Sequence, residues 1–181
     1  MASKFKSNEV SSPGLIDPIK HLGDKIRACE LGVCRGNNLR YILDHVPEID
    51  YVYAVDPWIP YHDWNGFIDQ SHMDRYRNET IDNLLEYDSK VKMLEMTSES
   101  ALSVVKDDEL DFIFIDGAHD YDSVLFDCTN WWSKVRTGGL FSGHDYQLDG
   151  VNRAVTEFRE KMNITTPLQF CHENVWFWYK Q

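Results

Sequence analysis

Basic residues are scarce. Eighteen lysines and arginines stand against 30 aspartates and glutamates, leaving a formal net charge of −12. Such a chain repels a phosphate backbone on average, and its cations are scattered with no basic patch, so no nucleic-acid partner is expected. Long apolar runs are missing as well. None approaches the roughly 20 residues that a membrane span needs, so no membrane partner is expected either. The opening stretch MASKFKSNEVSSPG lacks the apolar centre of a secretory leader, which points to a cytoplasmic protein. Cysteine is sparse: Cys29, Cys34, Cys128 and Cys171 form no C-x-x-C pair, and metal-ligand spacing is absent. Buried thiols in a reducing compartment account for them. Finally, there is no G-x-G-x-x-G to bring a pyrophosphate to a helix N-terminus.

What is present suits one domain. The 181 residues, 43% of them hydrophobic, are enough for a sizeable core, with no internal repeat or dividing linker. Residues 1–14 read as a flexible N-terminal arm ending in a Ser/Pro/Gly cluster, and residues 15–181 as a single domain. A short amphipathic helix is expected over Leu15–Lys25. After it, strands over Ile26–Leu31, Tyr51–Val55, Val91–Met96, Asp111–Ile115 and Leu140–Ser142 alternate with helices over Asn38–His45, Asp74–Tyr87, Ser98–Val105 and Tyr121–Val135. A helix over Gly150–Met162 precedes two late strands, Leu168–Cys171 and Asn174–Tyr179. Runs such as Phe112–Ile115 are apolar nearly throughout, as in strands covered on both faces. The alternation predicts an α/β fold with a mostly parallel, seven-stranded sheet, helices on both faces, and an antiparallel last strand. Trp131 and Trp132, in mid-helix, read as core or as a contact between subunits.

Ligands bind such sheets beyond the carboxyl ends of the strands. The residues there are Glu30 with Gly32 and Gly36, then Asp56, Thr97 with Ser98, Asp116, and His144 with Asp145. The spacing E-x-G-x-x-x-G puts a carboxylate where a dinucleotide site would tolerate none, and so suits a cationic ligand group. Gly32 would allow close backbone approach to that ligand, and Gly36 would let the following helix pack against the turn. Asp56 lies 20 residues past Gly36, at the end of the second strand, where an acid accepts two ribose hydroxyls. Pro57 and Trp58 offer a flat wall for an adenine. An adenosine with a positively charged tail satisfies all of these, and S-adenosylmethionine meets that description.

Here the chain resembles a known family: the class I S-adenosylmethionine-dependent methyltransferases, in the small methyltransferase domain 24-like subgroup with an IDGxHxY segment. The segment stands here as IDGAHDY, Ile115–Tyr121, and the fifth-strand ending as GGLFSGHDY, Gly138–Tyr146. The resemblance implies a Rossmann-like fold and methyl transfer to a small-molecule acceptor, at oxygen. It implies that Glu30, Gly32 and Gly36 line the methionine and ribose, that Asp56 holds the ribose, and that Thr97, Ser98 and Glu99 stand by the adenine. Asp116 and His119 would lie close to the reactive methyl.

Methyl transfer from a sulfonium is an in-line displacement. Positioning contributes about 7–11 kcal/mol in favourable cases, and a general base about 10²–10⁴-fold. Asp116, His119, Asp120, His144 and Asp145 crowd two adjacent strand ends, and a histidine near its usual pKa of about 6.5 takes a proton at neutral pH. Related enzymes bind Mg²⁺ with acids at these ends, and Asp116 and Asp145 would serve. His144, however, stands where another acid is common, and imidazole suits Mg²⁺ poorly. The aromatic segment Trp58–Phe67 reads as a substrate-facing loop or lid. The short chain leaves no separate substrate domain, so the substrate is small or the arm and a neighbouring subunit close the site. A nicotinamide-dependent oxidoreductase and a non-catalytic cofactor-binding module remain as alternatives.

Overall fold

The computed structural model describes residues 10, 12–63, 66–171 and 174–181. Seven strands form one sheet: β1 (Ile26–Leu31), β2 (Ile49–Val55), β5 (Val91–Leu94), β6 (Leu110–Ile115), β7 (Val135–Gly143), β8 (Gln169–Cys171) and β9 (Val175–Tyr179). Their order across the sheet is β5-β2-β1-β6-β7-β9-β8. The first five are parallel, β9 runs antiparallel to β7, and β8 antiparallel to β9. This is the expected α/β architecture: the last strand, β9, is the reversed one, and β8 at the edge runs in the direction of the first five. Strand order reverses between β1 and β6, and a crevice for a ligand opens at such a point.

The side-chain alternation of the strands divides the core in two. Ala28, Ala54, Phe112, Phe114 and Phe177 pack beneath α1 (Ile16–Lys20), α2 (Asn37–His45) and α3 (Gln70–Leu84). Cys29, Leu31, Val55, Ile113, Ile115 and Phe141 pack beneath α4 (Ser98–Ala101), α5 (Tyr121–Trp131) and α6 (Asp149–Lys161). With both faces covered, all six residues of β6 are buried, which is why Phe112–Ile115 is apolar without alternation, while Asp111 near its start is paired with Arg27 and Arg136. In β9, Trp176 and Trp178 stack at 5.3 Å on the α6 side, and Trp178 lies 5.3 Å from Phe141. Trp131 is fully buried, and Trp132 packs edge-on against Phe141 and Phe158, so both belong to this core.

Element boundaries differ from expectation where packing, not pattern, decides them. β7 starts at Val135 instead of Leu140, because Val135 already pairs with Leu110, ahead of a register shift that takes up the polar residues before Leu140. The first helix is short, Ile16–Lys20, preceded by a 3₁₀ turn over Pro13–Leu15. Ser12, within the expected arm, is fully buried, while residues 1–9 and 11 of that arm lie outside the described residues. The segment after Trp58 holds an antiparallel pair, β3 (Tyr61–Asp63) and β4 (Gly66–Ile68). Trp64 and Asn65, within the expected lid, lie outside the described residues.

Candidate functional site

The carboxyl edge of the sheet is built as a stair of backbone hydrogen bonds. Asp56 N–H donates to the carbonyl of Leu94, Gly32 N–H to Val55, Asp116 N–H to Leu31, and His144 N–H to Ile115. Each residue just past a strand thus docks on the last carbonyl of its neighbour. The parallel ladder therefore fixes the relative heights of the four segments that carry the candidate residues.

Glu30 is the last polar side chain of β1. It points to the α2 side of the sheet, is 2% exposed, and accepts a hydrogen bond at Oε1 from Asn38 Nδ2 at 3.0 Å. Its Oε2 is enclosed with no hydrogen-bond partner. Burial pushes its pKa up to about 8; Asn38 works against that shift, and Asp116 and Asp56 add to it. A carboxylate enclosed with one empty oxygen and two acids for neighbours calls for a cation.

Asp56 is also buried. Its Oδ2 accepts from Cys34 N–H at 2.9 Å and its Oδ1 from Trp58 N–H at 2.8 Å. Burial raises its pKa, and those N–H groups oppose the rise. The acid therefore ties the glycine turn to the end of β2 and keeps a second lone pair on each oxygen. Trp58 differs from expectation. Its indole is 2% exposed, is sealed in the core, and donates from Nε1 to the Cys34 carbonyl at 2.8 Å. It anchors the turn and has no open face for an adenine. Pro57 precedes it on the same turn.

The two glycines are needed for packing against other strands and helices. Gly32 has φ +84°, and a Cβ there would lie 2.2 Å from the Asp116 carbonyl oxygen. The close approach seen in the fold is to the β6 turn. Gly36 has φ +73° and admits Thr80 of α3 at 3.2 Å, so the helix it accommodates is α3 rather than α2, which it caps. Thr97 caps α4, its side chain accepting from Ser100 N–H, with Ser98 as the first helical residue.

On the next two strand ends, four groups converge. His119 Nε2 lies 2.8 Å from Asp145 Oδ2, and His144 Nδ1 lies 3.3 Å from the same oxygen and 3.5 Å from Asp116 Oδ1. Asp145 has φ +58°, a left-handed conformation that aspartate tolerates better than most residues. Trp176 Nε1 donates to the His144 carbonyl at 3.0 Å, so the aromatic strand β9 braces the turn. Burial pushes the Asp116 pKa up, while the imidazoles hold Asp145 well below the usual carboxylate range against its own burial. The hydrogen bond to Asp145 raises His119. Burial lowers His144, but Asp116 and Asp145 outweigh it and push it up to about 10. At neutral pH the His144 imidazole therefore rests protonated, contrary to the expectation of a histidine titrating near 6.5, and His119 is shifted in the same direction.

Asp116, His144 and Asp145 offer ligand atoms within 4.8 Å of one another, a set that could hold a metal ion. One imidazole and two carboxylates suit manganese, iron or zinc better than Mg²⁺, which takes oxygen. Two residues of the site gave no sign in the sequence. In sequence Asn38 reads only as part of a helix, and Ser12, which donates to Asn38, only as part of the arm.

A family model described as a methyltransferase domain matches residues 29–146. Among solved structures the chain is similar to the O-methyltransferase NovP, with 23% identity and a TM-score of 0.69 over 93% of this chain and 77% of that one. It is similar to precorrin-6y C5,15-methyltransferase from Geobacter metallireducens, with 14% identity and a TM-score of 0.65 over 100% of this chain and 93% of that one. It is also similar to spermidine synthase from Thermotoga maritima, with 14% identity and a TM-score of 0.60 over 91% and 57%. At such identities these likenesses show the fold, and the last shows that proteins not named as methyltransferases carry it too. No curated protein matches the chain by sequence. The family match spans more than half of the chain and takes in the carboxyl ends of all five parallel strands: the chain belongs to the methyltransferase-domain family, as a class I S-adenosylmethionine-dependent methyltransferase.

Proposed function

We propose that this methyltransferase acts on a hydroxyl oxygen of a small molecule, with Glu30 and Asp56 holding the cofactor and the cluster of Asp116, His119, His144 and Asp145 handling the acceptor. The observation that carries this reading is the empty Oε2 of Glu30, an enclosed acid facing the switch point of the sheet. The methionine end of S-adenosylmethionine brings an ammonium and a sulfonium. Either offsets a buried carboxylate, whereas a pyrophosphate would meet repulsion from three acids. Asp56 keeps lone pairs for ribose hydroxyls, and Thr97 and Ser98 border the adenine. Trp58 is left out of that border by its burial.

The acceptor chemistry follows from proton bookkeeping. A hydroxyl must lose its proton as it attacks the methyl carbon, and the protein has to take that proton. His119 is the candidate base. Asp145 holds its Nε2–H, so the neutral ring carries its lone pair on Nδ1. His144, as a cation between Asp116 and Asp145, offsets the two carboxylates and preserves their geometry. A divalent ion would be held by Asp116, Asp145 and His144, the imidazole giving up its proton to the solvent in exchange for the ion. It would act as a Lewis acid on the acceptor oxygen.

The β3–β4 pair supports a lid. It leads from the end of β2 into α3 and exposes Tyr61 and Phe67, 46% and 58% accessible, beside the site edge of the chain. The charge of −12 disfavours a polyanionic acceptor, which supports a small molecule. Calorimetric titration with S-adenosylmethionine and its demethylated product tests the cofactor half. Wild-type protein should release heat with both, and Glu30→Gln with neither. A panel of phenols, sugars and amines with radiolabelled methyl donor tests the acceptor half, and label transferred only to amines would overturn the oxygen assignment.

A further inference from the structure

Ser12 lies ahead of every strand, yet it is fully buried against the site. Its backbone N–H and its Oγ both donate to Asn38 Oδ1, at 3.0 and 2.6 Å. Asn38 then donates from Nδ2 to Glu30 Oε1 at 3.0 Å. Ser12, 26 residues from Asn38, thus joins it and Glu30 in one enclosed chain of hydrogen bonds ending on the acid with an empty oxygen. The segment carrying Ser12 is itself anchored. Leu15 and Ile19 are fully buried, and Tyr179 of β9 donates to the Pro18 carbonyl at 3.2 Å.

An amide can present either its oxygen or its NH₂ to a neighbour. Two donors from Ser12 leave Asn38 one satisfactory orientation, with NH₂ toward Glu30. That orientation favours the ionised carboxylate. The reversed amide would set an oxygen against Glu30 and would be satisfied only by a protonated acid. The other charged groups facing Glu30 are Asp116, from the end of β6, and Asp56, from the end of β2, and both oppose ionisation. The Asn38 amide is thus the group in contact that favours it.

We propose that Ser12 and Asn38 are positioning residues for the cofactor: by locking the Asn38 amide, the segment ahead of β1 keeps Glu30 ready to receive the cationic end of S-adenosylmethionine. This rests on the assignment of Glu30 to the cofactor. The test measures the dissociation constant of S-adenosylmethionine between pH 6 and 9 for wild type, Ser12→Ala and Ser12→Thr, with melting temperatures alongside. Losing one buried hydrogen bond of this kind changes an equilibrium by about 3–10-fold. Ser12→Ala should weaken binding at pH 7 by that factor and move the pH midpoint of binding upward, while Ser12→Thr restores both. A merely structural role would weaken binding equally at every pH, and that result overturns the proposal, as does an unchanged constant. If wild-type protein binds no S-adenosylmethionine at any pH, the assignment of Glu30 fails first and takes this inference with it.

Discussion

A Cβ on Gly32 would stand 2.2 Å from the carbonyl oxygen of Asp116 and 2.5 Å from the Cα of Gly117. The first glycine of the loop is therefore the point where the cofactor turn of β1 rests on the acceptor turn of β6. No flexible side chain is there to yield, since the obstructing atoms are backbone. Gly32→Ala should then combine a left-handed penalty of about 1–2 kcal/mol with displacement of Asp116. For a chain of this size the first term alone lowers Tm by about 2–8 °C. Thermal unfolding read by circular dichroism checks it. A drop within error would mean the two turns separate easily.

Glu30 makes the free protein pH-sensitive with a definite sign. Its folded pKa, about 8, lies above the ordinary value of 4.5. The folded state keeps a proton that the unfolded state has lost between those limits, so stability falls as pH rises from about 4.5 to 8 and levels off beyond. Glu30→Gln removes this dependence. The variant should melt higher than wild type at pH 8 and equally at pH 4.5, while losing affinity for S-adenosylmethionine. Melting curves across that range decide it; equal melting temperatures at pH 8 would show that Glu30 is not strained in the free protein.

The parts of this molecule that were legible in sequence are those set by local pattern. Phe112–Ile115 reads as a doubly covered strand because both of its faces are in fact buried, and the acids Glu30, Asp56 and Asp116 stand out because charge ends an apolar run. The place of Trp58 is not legible, because an aromatic after a strand looks the same in sequence whether it lines a crevice or fills the core; its burial comes with its hydrogen bond to the Cys34 turn and its place in the core. The β3–β4 pair was missed because three residues per strand are too few for alternation to register. The link from Ser12 through Asn38 to Glu30 has no local signature at all, since Ser12 and Asn38 are brought together only by the packing of the first helix.

The donor set Asp116, His144 and Asp145 makes a prediction about ion preference. With one nitrogen among its ligands, the wild-type site should respond to Mn²⁺ or Zn²⁺ more than to Mg²⁺. His144→Asp turns the set to oxygen only and should reverse the order, with Mg²⁺ gaining most. The comparison is a thermal-shift titration of chelator-treated protein with each ion. Shifts of equal size for all three ions in wild type, or none, would remove the metal from the proposed chemistry.

His119 is raised above its ordinary pKa chiefly by the hydrogen bond to Asp145, with burial opposing. Only its neutral form can accept a proton, so turnover should climb with pH through a limb lying above about 6.5. A histidine with a raised folded pKa is protonated below that limb, which gives the direction: activity is lost on acidification. Asp145→Asn removes the main cause of the shift and should move the limb to lower pH. His119→Ala removes the base itself and should lower kcat by about 10²–10⁴-fold, while the affinity for S-adenosylmethionine stays within a small factor of wild type. The two measurements separate the roles: a rate profile unmoved by Asp145→Asn, together with a full rate in His119→Ala, would place the proton acceptor elsewhere in the cluster.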